Sequence, residues 1–241
     1  MKIRGTRQCN SCDTKWSYYD TGSVACPACG SIRSVGVDEE RKQHTDTPVT
    51  LEVDSIKQQL AADSTSINDV APELLRTLRS YTRKRGFIRG GTLRELDEQY
   101  LGTHELIHAT DICTRSHRTT ELDELYVLEL FTAVSEGSRI THTDVPQRLH
   151  PARGAGYTDA VSAYRRDLDI YLESTPDADA KDAVTRLQTH LKRADALEGD
   201  IPLETAETLV MIAHEIAAYL LDADSDALAS ARNRLDRLSK L

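Results

Sequence analysis

At 241 residues the chain is long enough to bury a sizeable core in one or two domains. Apolar residues make up 39% but aromatics only 5%, and Ala, Leu and charged residues dominate, as expected of amphipathic helices packed through aliphatic seams. No run approaches eighteen apolar residues and Met1-Lys2-Ile3-Arg4-Gly5 lacks the apolar stretch of a secretory signal, so a membrane span is excluded and a soluble, cytoplasmic protein is expected.

A formal net charge of −9 argues against nucleic acid as a partner, yet the charge is unevenly placed. Residues 1–35 carry Lys2, Arg4, Arg7, Lys15 and Arg33 against Asp13 and Asp20, a net of +3, so the remainder carries −12. Four of the five cysteines form two C-x-x-C pairs, which suits metal ligation in a reducing compartment better than a disulfide framework. The fifth, Cys113, sits in a helical pattern and reads as a buried, inert thiol.

Residues 1–37 read as a small β-rich module. The pattern Cys9-x2-Cys12-x13-Cys26-x2-Cys29 puts two residues between the ligands of each pair, enough for a tight knuckle to present both thiolates to one ion. Pro27 and Gly30 suit such a turn, one fixing φ and the other tolerating a positive value. One structural Zn2+ is expected, with an iron site or a redox dithiol as the remaining readings. Trp16-Ser17-Tyr18-Tyr19 and Ser31-Ile32-Arg33-Ser34-Val35 have the alternation of short strands. Trp16, Tyr18, Tyr19, Lys15 and Arg33 are candidates for an exposed binding face; equally, Trp16 and a tyrosine can pack against the rest of the protein.

Residues 38–50 are polar, without apolar periodicity, and are expected to form a linker. Residues 51–241 have helical spacing throughout, with about eight segments joined by short connections, as in an antiparallel bundle. The first covers about 51–62. The second starts near Asn68 or Asp69, with Pro72 in its first turn, and ends at Gly86. The third is expected from Thr92 through Leu93, Leu96, Tyr100, Ile107 and Ile112 to about His117, and the fourth from an N-cap at Thr120 to about Gly137. A loop with Pro146 and Pro151 precedes the fifth, which carries Tyr157, Val161, Tyr164, Leu168 and Tyr171 on one buried stripe. The last three are placed at about 177–197, 203–222 and 226–239.

Ala25-Cys26-Pro27-Ala28-Cys29-Gly30-Ser31 resembles the transcription-factor-B type of zinc ribbon, which implies a site for protein or nucleic acid. Over most of the chain, Met1–Gly5, Trp16–Tyr19, Arg83-Lys84-Arg85-Gly86-Phe87-Ile88 and Ala163-Tyr164-Arg165-Arg166-Asp167-Leu168 together resemble haloarchaeal zinc-ribbon proteins of unassigned function. The excess of Arg over Lys and of Asp over Glu is similar to that of proteins from salt-accumulating archaea. In molar salt the screening length shrinks to about 3 Å, so any nucleic-acid contact would be short-range.

Two further motifs carry possible chemistry. Arg76, Arg79, Arg83, Lys84, Arg85, Arg89 and Arg94 form a basic stretch without an acid, able either to hold a phosphate backbone or to pair with acids on neighbouring helices. His104-Glu105-Leu106-Ile107-His108 matches H-E-x-x-H, in which the two histidines bind zinc and the glutamate is the general base. Glu121, Glu124 and Glu129 on the next helix are possible third ligands, although the histidines also continue the Leu93, Leu96, Tyr100 stripe. The expectation is a mainly α protein, a β zinc ribbon followed by a helical bundle, acting as a non-enzymatic adaptor for protein or nucleic acid around transcription or RNA. A metallopeptidase-like hydrolase centred on His104, Glu105 and His108 is the alternative, and a purely protein-binding scaffold the third reading.

Overall fold

A computed structural model describes residues 1–61, 66–115, 119–140 and 145–240. The first 43 residues contain β1 (Lys2–Ile3), β2 (Thr6–Cys9), β3 (Lys15–Ser17), the single-turn α1 (Tyr18–Thr21), β4 (Ser34–Gly36) and β5 (Lys42–Gln43). Three of these make an antiparallel sheet in the order β3-β2-β4, with Arg7 opposite Trp16 on one side and Gly36 on the other. The remaining two pair with each other, Lys2 opposite Gln43 and Ile3 opposite Lys42.

Beyond residue 50 the described chain forms eight α-helices: α2 (Asp54–Leu60), α3 (Ile67–Lys84), α4 (Glu98–Arg115), α5 (Glu121–Ser135), α6 (His150–Ser174), α7 (Ala178–Ala196), α8 (Leu203–Asp222) and α9 (Ser225–Leu238). None is long and apolar enough to cross a membrane. Their ends follow from local chemistry. Ser66 with Asp69 and Thr120 with Asp123 form reciprocal capping boxes at α3 and α5, and Asp177 and Asp224 cap α7 and α9. The mainly helical class, the small N-terminal β region and the expected Thr120 cap are all present.

Three boundaries differ from expectation. Thr92 and Leu93 are not the start of a helix but strand β7 (Thr92–Leu93), paired with β6 (Ile88–Arg89). Gly90 and Gly91 join them, both at positive φ, as a two-residue hairpin turn demands. Leu93 and Leu96 are buried from this hairpin and the loop after it, so their helix-like spacing to Tyr100 is incidental; Asp97 then caps α4 by accepting from the Tyr100 N–H at 2.8 Å. Pro151 lies in the first turn of α6 rather than in a loop, where its missing N–H costs nothing. Pro72 falls in the second turn of α3, because the helix begins at Ile67. The expected helix ends at residue 62 and His117 lie outside the described residues.

Helix α6 is the central element, packed against α4, α7 and α8, with α3 and α5 on the far flank of α4. Its stripe of Tyr157, Val161, Tyr164 and Leu168 is fully buried, while Tyr171 is only partly covered. Gly156 lets α6 approach the α4 backbone at His104 and Glu105, where a Cβ would collide. That closeness buries a charge pair: Arg153 Nε donates to Glu105 Oε1 at 3.0 Å, with both residues at most 1% exposed. Arg153 also donates to Tyr126 Oη at 2.8 Å and to the Ile140 carbonyl at 2.9 Å, and Tyr126 Oη donates to Glu105.

Breaking one partner of such a pair strands the other charge in the core. Arg153→Met is expected to destabilise the protein by about 3–5 kcal/mol in denaturant unfolding, and a paired Glu105→Met/Arg153→Met variant to recover a large part of that loss.

Candidate metal centre

Two knuckles of matching geometry build the cysteine site. In the first, Cys9 N–H donates to the Thr14 carbonyl at 2.9 Å and Asp13 N–H to the Cys9 carbonyl at 3.1 Å. In the second, Cys26 N–H donates to the Ser31 carbonyl and Gly30 N–H to the Cys26 carbonyl, both at 2.9 Å. Each needs a positive φ directly after its second cysteine: Gly30 has φ +71° and Asp13 has φ +59°. Gly30 was legible in the sequence as a turn residue; Asp13 was not singled out, although Asp is one of the few side chains that tolerates this region. The Asn10 N–H to Arg33 carbonyl bond and the Ser11 and Ser31 hydroxyls, 3.1 Å apart, tie one knuckle to the other.

The four sulfurs lie within 4.8 Å of one another, and they are the only group of three or more potential ligand residues gathered in this way among the described residues. Cys9 and Cys29 are 3.6 Å apart, Cys12 and Cys26 3.6 Å, and Cys12 and Cys29 3.4 Å. These separations are far beyond a disulfide bond of about 2.05 Å, and near the roughly 3.8 Å edge of a tetrahedron whose centre is about 2.3 Å from each sulfur. The donor set therefore fits a single tetrahedral metal ion.

The electrostatics agree with that fit. The Thr14 hydroxyl and amide lower Cys12 to about 6, and the Ser11 amide, donating to Cys9 Sγ at 3.3 Å, lowers Cys9. At Cys29 the Ser31 amide also favours the thiolate, but the crowding Cys12 and Cys9 sulfurs outweigh it and push the thiol up to about 12. Four sulfurs so close cannot all carry charge without a cation between them.

Trp16 is buried, as in the packing reading rather than that of an exposed binding face. Its ring packs with Cys9 and Cys26 and its Nε1–H donates to the Ser23 carbonyl at 3.1 Å. Lys15 and Arg33 are exposed on the ribbon. Tyr18 and Tyr19 are half-buried beside His44, with Tyr19 4.8 Å from its ring and packed between Gly5 and Gly90.

The stretch read as a linker carries buried residues. Gln43, His44 and Asp46 are each at most 7% exposed. Thr45 N–H donates to the Ile88 carbonyl at 2.9 Å and Thr47 N–H to the Lys84 carbonyl at 3.1 Å, while Gly91 N–H donates to the Gln43 carbonyl at 2.8 Å. Gly86 admits this strap, since a Cβ there would run into the Thr45 carbonyl. Asp167 on α6 closes the arrangement, accepting from the Thr45 hydroxyl and the Phe87 N–H, both at 2.6 Å. Burial lifts the Asp167 carboxyl above the ordinary range, against those two hydrogen bonds.

Two cations of the basic stretch serve the same junction. Arg85, half-buried, donates to Asp46 at 3.1 Å and Asp97 at 2.8 Å, and Arg89 reaches Asp20 of the ribbon at 2.7 Å. Arg79 pairs with Asp111. Arg76, Arg83, Lys84 and Arg94 have no acid partner among the described residues.

The H-E-x-x-H segment is not assembled as a catalytic centre. Glu105 faces the core and is held by Arg153 and Tyr126, so its carboxylate is not available to a water on the histidine face. His108 pairs with Asp159 at 2.8 Å, and Glu121 and Glu129 are exposed. The His104 ring packs on Tyr100, 4.8 Å between centroids, and burial lowers it to about 4. Cys113 is buried, as expected, and burial raises its thiol to about 11.

The chain belongs to a family of unknown function (DUF7117), which matches residues 1–235. No curated protein and no solved structure matches it.

Two predictions follow from this geometry. Trp16 is the sole tryptophan and touches two of the cysteines, so Cys26→Ser or a strong chelator is expected to shift its emission to the red while far-ultraviolet circular dichroism keeps the helical signal. His104 is lowered below its ordinary value, so the unfolded chain binds the proton first and stability falls as pH drops from about 6.5 towards about 4. Denaturant midpoints across that range should show the slope in the wild type and a flatter one in His104→Gln.

Proposed function

We propose that this protein is a non-enzymatic, zinc-stabilised binding module whose ribbon, residues 1–37, is carried by the helical body, residues 51–241, through the 38–50 strap. The observation that supports it most directly is the set of four sulfurs on two matched knuckles, enough to fill the four positions of a tetrahedral ion. A closed S4 set favours Zn2+, and such an ion replaces the hydrophobic core that a module of this size lacks. When bound it supplies folding energy and no reaction chemistry.

The proposed partner is nucleic acid, or the transcription or RNA machinery that handles it. The resemblance to transcription-factor-B type ribbons supports this reading, as does the positive balance of residues 1–35 in an acidic chain. The strap supports it physically: a ribbon fixed to the body by buried hydrogen bonds presents its surface in one orientation, which lowers the entropic cost of binding. Thiolate ligation also suits a reducing compartment such as the cytoplasm.

The test is purification of the full chain at both low and molar KCl, with metal analysis and capture on immobilised RNA, DNA and cell extract. One zinc per chain, lost in Cys9→Ser, together with retention of nucleic acid is the expected result. A second zinc lost in His104→Ala would restore the hydrolase reading. Capture of protein alone would replace nucleic acid by a protein partner.

A further inference from the structure

A cavity of about 360 Å³ lies where the ribbon sheet meets β1 and the strap. Lys2, Arg4, Arg7 and Arg41 stand in its wall together with Tyr18, and no acid lines it. None of the four cations has an acid within ion-pairing distance among the described residues. In a chain with an excess of acids, four unpaired cations around one hollow is a self-repelling arrangement that an anion would relieve.

The cations come from separate elements that the fold brings together. Arg7, in the middle strand of the sheet, is held rigid, its Nε donating to Ser34 Oγ at 2.9 Å and its Nη2 to the Ser34 carbonyl at 2.8 Å. That leaves Nη1 uncommitted among the described contacts. Arg4 leans on Gly36 and donates to its carbonyl at 3.4 Å. Lys2 is on β1, and Arg41 immediately precedes β5, its pairing partner. Asp38, close by in sequence, does not line the hollow; its carboxylate is occupied by the Thr6 amide at 2.7 Å.

Two other cation-bearing hollows among the described residues are different. The one with Arg76 and Lys84 also has Glu52 in its wall, and the one with Arg85, Arg89 and Arg94 has Glu95 and Asp97. Acids in those walls compete with any phosphate. Here they are missing, and Tyr18, Ile3 and Val24 add an aromatic ring and apolar surface beside the cations. A phosphate next to a flat ring is the chemistry of a nucleotide: guanidinium groups take the phosphate oxygens at short range, and a base stacks on the tyrosine.

We infer that the hollow bounded by Lys2, Arg4, Arg7, Arg41 and Tyr18 is a nucleotide-binding site, taking the phosphate and base of one unit of a single-stranded nucleic acid or of a free nucleotide. This rests on the nucleic-acid reading above for the first source and is independent of it for the second. Short-range contacts to guanidinium groups persist where salt suppresses long-range attraction.

The experiment uses the zinc-loaded full chain and a fluorescent single-stranded RNA oligonucleotide, with AMP as a second ligand, at low salt. Arg4→Ser/Arg41→Ser is expected to weaken oligonucleotide binding by about tenfold or more and Tyr18→Leu by about fivefold or more, whereas Arg83→Ser/Lys84→Ser leaves it unchanged. Unaltered Trp16 emission and zinc content certify that the variants are folded. Binding that survives Arg4→Ser/Arg41→Ser but falls in Arg83→Ser/Lys84→Ser overturns the site and leaves the nucleic-acid function standing. AMP binding lost in Arg4→Ser/Arg41→Ser, without oligonucleotide binding by the wild type, supports the site with a free nucleotide as its source and removes the nucleic-acid function. A wild type that binds neither ligand overturns both.

Discussion

Asp167 ties the strap that follows the ribbon to the helical bundle. Its carboxylate, buried on the central helix α6, accepts from the side chain of Thr45 and the backbone of Phe87, joining the strap, the β6–β7 hairpin and the core in one arrangement. Phe87 in turn sits edge-on to Tyr164, one turn before Asp167 on α6, and to Tyr100 on α4. Arg85 fastens the neighbouring Asp46, and Arg89 reaches across to Asp20. Buried polar groups are stabilising only when each finds its partners, so this junction holds one geometry and penalises small displacements.

That constraint gives the basic stretch a different meaning from its composition. Arg79, Arg85 and Arg89 compensate acids, two of them at the junction, and so are tied up within the fold. Arg76, Arg83, Lys84 and Arg94 keep no acid partner among the described residues, but the hollows beside them have acids in their walls, whereas Lys2, Arg4, Arg7 and Arg41 surround a hollow on the ribbon side that has none. A charge count along the chain points to residues 76–94; the distribution of acids in space points to residues 2–41.

The same logic separates the two metal motifs. C-x-x-C pairs specify their own local turns, so ligand geometry follows wherever the knuckles can form. H-E-x-x-H specifies only a helix face, and what that face meets is decided by neighbours. Here α6 comes close enough at Gly156 for Arg153 to claim Glu105, turning the residue that a hydrolase would use as its base into half of a buried ion pair.

The cysteine cluster, the knuckle glycine, the helical class and most helix ends were legible from the residues, because caps, turns and periodic apolar stripes are governed by interactions within a few positions of one another. Thr120 and the Tyr157 to Leu168 stripe are examples. The burial of Trp16 against Cys9 and Cys26, the strap at 43–47, the Asp167 junction and the Glu105–Arg153 pair were decided only in three dimensions. The last three join residues tens of positions apart, and none of the four follows from a local turn or an apolar period. The Gly90-Gly91 hairpin was local and readable, but the leucines after it mimicked a helix, and the need to bury Leu93 and Leu96 from a strand and a loop was set by the core they pack into.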